Sequence, residues 1–243
     1  MSTPTVILVH GAFAESASWK LVIEKLQEKS LRVIATPNPL RSLAGDAAYV
    51  RDVIASVDGP VVLVGHSYGG MVITEAAAGN EAVKALVYVS AFAPDTGETA
   101  FDLSGKFPGS TLGDALGQYP LVGGGVDLYI KQELFHDQFA ADVSEAVAAF
   151  MAATQRPVTQ AALTDGLVAT VPAWRDIPSW FVFGDEDRNI PAELHRFVAE
   201  RAGSRRTREL AGVAHAPAAT SPDEVAATIF DALESVQVVD AAA

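Results

Sequence analysis

Residues 65–70 read Gly-His-Ser-Tyr-Gly-Gly and follow the apolar run Val-Val-Leu-Val at 61–64. A G-x-S-x-G set between a strand and a helix is the arrangement of a nucleophile elbow. The turn is tight enough that a Cβ at Gly65 or Gly69 would meet neighbouring backbone, and glycine accepts the unusual dihedrals such a turn demands. Ser67 is therefore expected at the tip, in strained backbone, with its hydroxyl above the C-terminal edge of a sheet. The chemistry on offer is nucleophilic attack on an electrophilic carbon.

A serine hydroxyl attacks well only when a base takes its proton. The chain has five histidines, at 10, 66, 136, 195 and 215. His215 stands in Ala-Gly-Val-Ala-His-Ala-Pro at 211–217, a small-residue loop past the last strand pattern, on the same rim as Ser67. It is the expected base. His66 adjoins Ser67 with its side chain expected to turn away from the tip. His10 ends the first strand and is expected to brace the loop there. His195 falls mid-helix between Leu194 and Arg196, which suggests a solvated face. His136 lies in a long insertion, as packing or as a pocket wall. The base in turn needs an acid to hold its tautomer. Gly-Asp-Glu-Asp-Arg-Asn-Ile-Pro at 184–191 offers three acids on one loop, and the chain order Ser67, Asp187, His215 fits the Ser, Asp, His order of this elbow class. Asp187 is preferred over Asp185, Glu186 and the more distant Asp95. An oxyanion hole requires two backbone N–H groups. Tyr68 supplies one at a helix N-terminus, and Ala12, in His-Gly-Ala-Phe after the first strand, is expected to supply the other.

These side chains need a scaffold that brings distant loops to one edge. Strand-type runs at 5–9, 32–35, 61–64, 85–90, 180–183 and 207–210 alternate with amphipathic helical stretches. Alternation of this kind implies an α/β fold with a mostly parallel sheet, right-handed crossovers and helices on both faces. The rhythm breaks between Pro94 and Trp174, a glycine- and proline-rich stretch too long for a structureless loop. It is read as a helical lid, residues 94–174, inserted into a core made of 1–93 and 175–243. The lid and first loop are expected to wall a pocket, with Gly11, Phe13, His66, Phe135 and His136 as candidate lining beside apolar lid residues such as Phe101, Leu112 and Phe139. Residues 238–243 carry no pattern.

Composition narrows the chemistry further. With 243 residues, 49% apolar and 19% charged, one self-sufficient core is expected. The absence of cysteine removes disulfides, thiolate catalysis and Cys-ligated metals. A net charge of −13 disfavours nucleic acid and anionic membranes as partners. No apolar run is long enough to span a bilayer, and the start has no basic, apolar leader pattern. A cytoplasmic protein is expected. The histidines form no H-E-x-x-H cluster and no glycine-rich dinucleotide fingerprint follows the first strand, so neither metal nor cofactor is expected.

The motifs HGAFAESASW (10–19), GHSYGG (65–70), GDEDRNIP (184–191) and GVAHA (212–216) together resemble the α/β-hydrolase superfamily, in its small esterase and hydroxynitrile lyase branch. The resemblance covers nearly the whole chain. It implies Ser67, Asp187 and His215 as the triad, Ala12 and Tyr68 as the hole donors, and small neutral esters as substrates. The hydroxynitrile lyases of that branch carry a Thr after the histidine of the first loop and a Lys after the catalytic histidine. Gly11 and Ala216 stand there in this chain, which favours ester hydrolysis over carbon–carbon cleavage. A non-enzymatic small-ligand receptor on the same fold is a further alternative, since such receptors can retain a full triad.

Overall fold

Val6 and Leu8 enter one hydrophobic core and Ile7 and Val9 another, on opposite faces of strand β1 (Thr5–Val9). Side chains alternate across a strand, so a run apolar at every position must be covered on both sides. The computed structural model describes residues 3–242, the side chains of 237–242 excepted, and shows this pattern repeated across the sheet. After β1 come α1 (Lys20–Glu28), β2 (Arg32–Thr36), α2 (Leu43–Ala55), β3 (Val61–His66), α3 (Gly69–Ala77) and β4 (Val83–Val89). The insertion follows, with α4 (Ala100–Ser104), α5 (Leu112–Ala115), β5 (Leu116–Pro120), β6 (Val126–Ile130), α6 (Gln132–Phe139), α7 (Glu145–Thr154), β7 (Val158–Thr159) and α8 (Gln160–Thr164). The alternation then resumes with β8 (Ser179–Gly184), α9 (Ala192–Arg201), β9 (Arg206–Leu210), α10 (Pro217–Thr220) and α11 (Pro222–Ala242).

Six strands form one sheet in the order β2-β1-β3-β4-β8-β9, and every pairing in it is parallel. All six expected strands are present. Their order reverses between β1 and β3, so the loops that follow these two strands diverge and leave a crevice at their C-terminal ends, the usual ligand position in such sheets. One core packs α1 and α11 through Val22, Leu26, Val225 and Ile229. The other packs α2, α3 and α9 through Val50, Ile54, Val72, Leu194 and Val198.

The insertion shares that second core through Leu103, Ile130, Phe135 and Phe139, so it is seated on the sheet rather than hung from it. It contains short helices, as expected, and also a three-stranded antiparallel sheet, β5-β6-β7, that periodicity did not reveal. Arg41, between β2 and α2, fastens it: Nη1 lies 2.8 Å from Asp127 Oδ1 on β6 and Nη2 donates to the Pro157 carbonyl at 2.7 Å. At the other end α11 continues through Ala242, into the patternless stretch 238–243, and Ala243 lies outside the described residues. Among the described residues no helix is long and apolar enough to cross a membrane.

Candidate active site

Strand β3 ends at His66 and the chain turns into α3 through Ser67, whose φ of 54° lies in the left-handed region. A non-glycine residue there is strained and persists only when its surroundings fix it. They do so here: the Ser67 N–H donates to the Val89 carbonyl at 3.2 Å, and its own carbonyl accepts from Gly70 at 2.9 Å and Phe92 at 3.3 Å. Gly65 and Gly69 are not in the positive-φ region, contrary to the dihedral half of the sequence argument. Their role is room. A Cβ on Gly65 would lie 2.6 Å from the Gly69 carbonyl oxygen.

The expected acid and base, Asp187 and His215, lie on the loops after β8 and β9. His215 donates from Nδ1 to Oδ2 of Asp187 at 2.7 Å, which leaves its Nε2 for a substrate-side proton. Asp187 Oδ1 accepts the N–H groups of Asn189 at 2.8 Å and Ile190 at 2.9 Å. Both side chains are buried. Burial alone would raise the carboxyl, but the His215 imidazole beside it and hydrogen bonds from two histidines overcome this and hold Asp187 well below the usual carboxylate range. The competing acids do other things. Asp185 accepts the Gly212 N–H at 2.7 Å and so ties the two loops together. Asp95 pairs with Arg175 at 2.6 Å. Among the described residues no hydrogen bond joins the Ser67 hydroxyl to Nε2 of His215, although both border one cavity. Such contacts commonly tighten only in the substrate complex.

That cavity has a volume of about 180 Å³. Its walls are Ala12, Phe13, Tyr68, Phe92 and Ile190 from the core loops, and Ala100, Phe101, Leu112, Leu116, Leu128 and Leu163 from the insertion. Ser104, Ser110, Gln160, Thr164 and Asn189 add uncharged polar groups, and among the described residues no titrating side chain borders it apart from His215 and the Tyr68 phenol. That phenol is committed elsewhere, since it donates to the buried carboxylate of Asp46 at 2.9 Å. A larger hollow of about 750 Å³ lies at the opposite edge of the sheet, by Val83 and Pro178, away from these groups.

Of the five candidate pocket residues, Phe13 alone lines the cavity. Gly11 sits under the serine, where a Cβ would come within 2.6 Å of Ser67 Cβ. Phe135 is fully buried in the core and stacks on Phe139. His136 turns to the Val143 carbonyl inside the insertion, at 2.9 Å. His66 does turn away from the tip, and Nε2 donates to the His215 carbonyl at 2.9 Å. Burial, then the neighbouring His215, pull its pKa down to about 3, so it is a neutral tether for the loop that carries His215. His10 braces the first loop: Nδ1 donates to the Gly11 carbonyl and Nε2 accepts the Asn38 N–H, both at 2.9 Å. Burial lowers its pKa to about 4. Among the described residues no backbone or side-chain acceptor takes the N–H of Ala12 or Tyr68, whereas that of Phe13 donates to the Arg156 carbonyl at 3.1 Å.

Sequence reasoning missed one member of this cluster. His195 is buried, not solvated, and its Nε2 lies 3.1 Å from Oδ2 of Asp187. The signal was present: Val198, Ala199 and Ala202 follow it at helical spacing on a strip that faces the core.

Comparison with known proteins agrees with the fold. The sequence profile described as the alpha/beta hydrolase family matches residues 6–228. An alpha/beta hydrolase, nvfD, from Aspergillus novofumigatus is 26% identical over 96% of this chain and 97% of its own. A carbendazim hydrolyzing esterase from a Nocardioides species is 32% identical over 41% of this chain and 47% of its own. Among solved structures, polyneuridine aldehyde esterase superposes with a TM-score of 0.81 at 21% identity, over 95% of this chain and 99% of that one.

Proposed function

The chain belongs to the alpha/beta hydrolase family, and from that premise we propose that it hydrolyses small, uncharged carboxylic esters through an acyl-enzyme on Ser67. The observation that carries this reading is a strained serine bordering the same cavity as a histidine whose far nitrogen is held by a buried carboxylate. Esterases among the similar proteins support the same reaction class.

In the first half-reaction Ser67 Oγ attacks the ester carbonyl while Nε2 of His215 takes its proton. Asp187 keeps His215 in the Nδ1–H tautomer and stabilises the imidazolium that forms. The negative oxygen of the tetrahedral intermediate is received by the N–H groups of Ala12 and Tyr68, each contributing on the order of 3 kcal/mol. His215 then returns its proton to the departing alcohol. In the second half-reaction water attacks the acyl group with His215 again as base, and Ser67 is regenerated. The enclosed, uncharged walls select for neutral substrates, because a charged group would lose its hydration there without a partner.

A panel of p-nitrophenyl acetate, butyrate and the anionic hemisuccinate tests this. The two neutral esters should be turned over and the anion disfavoured. Replacing Ser67 by Ala should remove at least about a thousandfold of the activity. Equal rates for the anion would overturn the substrate class, and retained activity in Ser67→Ala the mechanism.

A further inference from the structure

Asp187 does not serve His215 alone. Its Oδ2 receives Nδ1 of His215 at 2.7 Å and Nε2 of His195 at 3.1 Å. A carboxylate oxygen only accepts, so each of these ring nitrogens carries its proton. That fixes His195 as the Nε2–H tautomer when neutral. Burial, the largest influence on this ring, disfavours a charge on it, and the opposing pull of Asp187 does not make up the difference. Phe183 of β8 stacks on the ring at 4.7 Å between centroids. The Ala91 carbonyl after β4 lies nearby, yet Nδ1 has no hydrogen bond of acceptable geometry. His215 faces it across Asp187, and the more distant Glu209 on β9 is paired with Arg196. A core position that needed only bulk would be filled without cost by Leu or Met, whereas a buried ring nitrogen with no partner costs free energy.

We infer that His195 is a positioning residue of this site, a second imidazole that shares the Asp187 carboxylate oxygen with the base, pins that oxygen toward His215 and draws off part of its charge. The inference rests on the triad proposed above. An unshared Asp187 carboxylate would stabilise positive charge on the base more strongly than a shared one, and the acid limb of the pH–rate profile reads that difference. The other titratable ring that faces the base, His66 of β3 at 4.8 Å between centroids, is the same in every variant compared.

The test compares His195→Gln, which keeps an N–H donor, with His195→Met and His195→Leu, which do not; two donor-free variants guard against one that fails to fold. The first readout is kcat/KM for p-nitrophenyl acetate against pH. In the donor-free variants the acid limb should move to higher pH by about half a unit or more, and His195→Gln should return it toward its original place. The second is the proton NMR spectrum with the histidine signals assigned by 15N labelling, where the wild-type protein should show exchange-protected downfield N–H signals from both Nε2 of His195 and Nδ1 of His215, beside those of the buried His10 and His66. His195→Gln should lose the His195 signal and keep that of His215. Coincident acid limbs in all folded variants, with only a uniform loss of rate, would overturn the inference, as would the absence of a protected His195 Nε2–H signal in the wild type. Failure of the triad itself is separable: Ser67→Ala would then remain active, while the His195 and His215 signals would still be present.

Discussion

Asp187 is the residue on which the site turns, because four hydrogen bonds converge on its two oxygens and all come from groups that depend on its being a carboxylate. Asp187→Asn replaces two acceptor oxygens by one oxygen and one NH₂. Whichever way the amide turns, a donor faces either the imidazoles or the N–H groups of Asn189 and Ile190. His215 is then released to the wrong tautomer, and kcat should fall by about four orders of magnitude, measured on a neutral p-nitrophenyl ester. A loss of less than tenfold would mean that Asp187 does not orient the base. At this scale the sequence was most informative where a residue's position follows from its loop. Ser67, Asp187 and His215 each lie just past a strand end, where the sheet leaves little freedom of position. It was least informative for Phe135 and His136, which lie on a helix whose inward face cannot be known before its partner is, and for His195, whose polarity masked an apolar strip.

Elements explain why three loops far apart in the chain meet. Parallel strands put all their C-terminal ends on one edge, and the six buried strands were legible because strands covered on both faces read as continuous apolar runs. The antiparallel sheet of the insertion was not. Strand β5 is half exposed and holds Gly117 and Pro120, both poor strand formers, and the Gly123-Gly124-Gly125 run that suggested loop is its hairpin turn, closed by the Leu121 N–H on the Gly125 carbonyl at 3.0 Å. The alternation Val126, Leu128, Ile130 in β6 was the signal available. The last residue of β8, Gly184, sets the spacing between the acid and base loops, since a Cβ there would overlap the Val213 carbonyl. Gly184→Ala should therefore push the His215 loop from Asp187. It should lower kcat/KM at least tenfold and stability by roughly 1–3 kcal/mol, read from the urea midpoint. Gly123→Ala, with nothing within 4 Å, should change neither. Equal behaviour of the two variants would refute the spacing role.

For the whole molecule, the buried titrating groups dictate how stability responds to acid. Burial lowers the pKa of His10 from 6.5 to about 4 and of His66 from 6.5 to about 3, and lowers that of His195. Between pH 6.5 and 4 the unfolded chain therefore binds more protons than the folded one, so stability is greatest above this window and falls as pH drops through it. Each group contributes up to about 1.4 kcal/mol per pH unit. Asp187, held low, adds to the loss only below its ordinary value of 3.8, whereas Asp46, raised by burial, acts in the opposite direction as one group against three. Urea unfolding at pH 7 and pH 4.5 should differ by several kcal/mol, and a flat response would show that these rings are not buried neutral. The sequence showed the acidic net charge but none of this response, because it depends on which histidines are enclosed. Mixing the enzyme with p-nitrophenyl acetate, quenching in acid within the first turnovers and mapping the acylated peptide by mass spectrometry tests the central claim most directly. An acetyl group on Ser67 is the expected result; ester turnover with the acetyl on another residue, or on none, would contradict it.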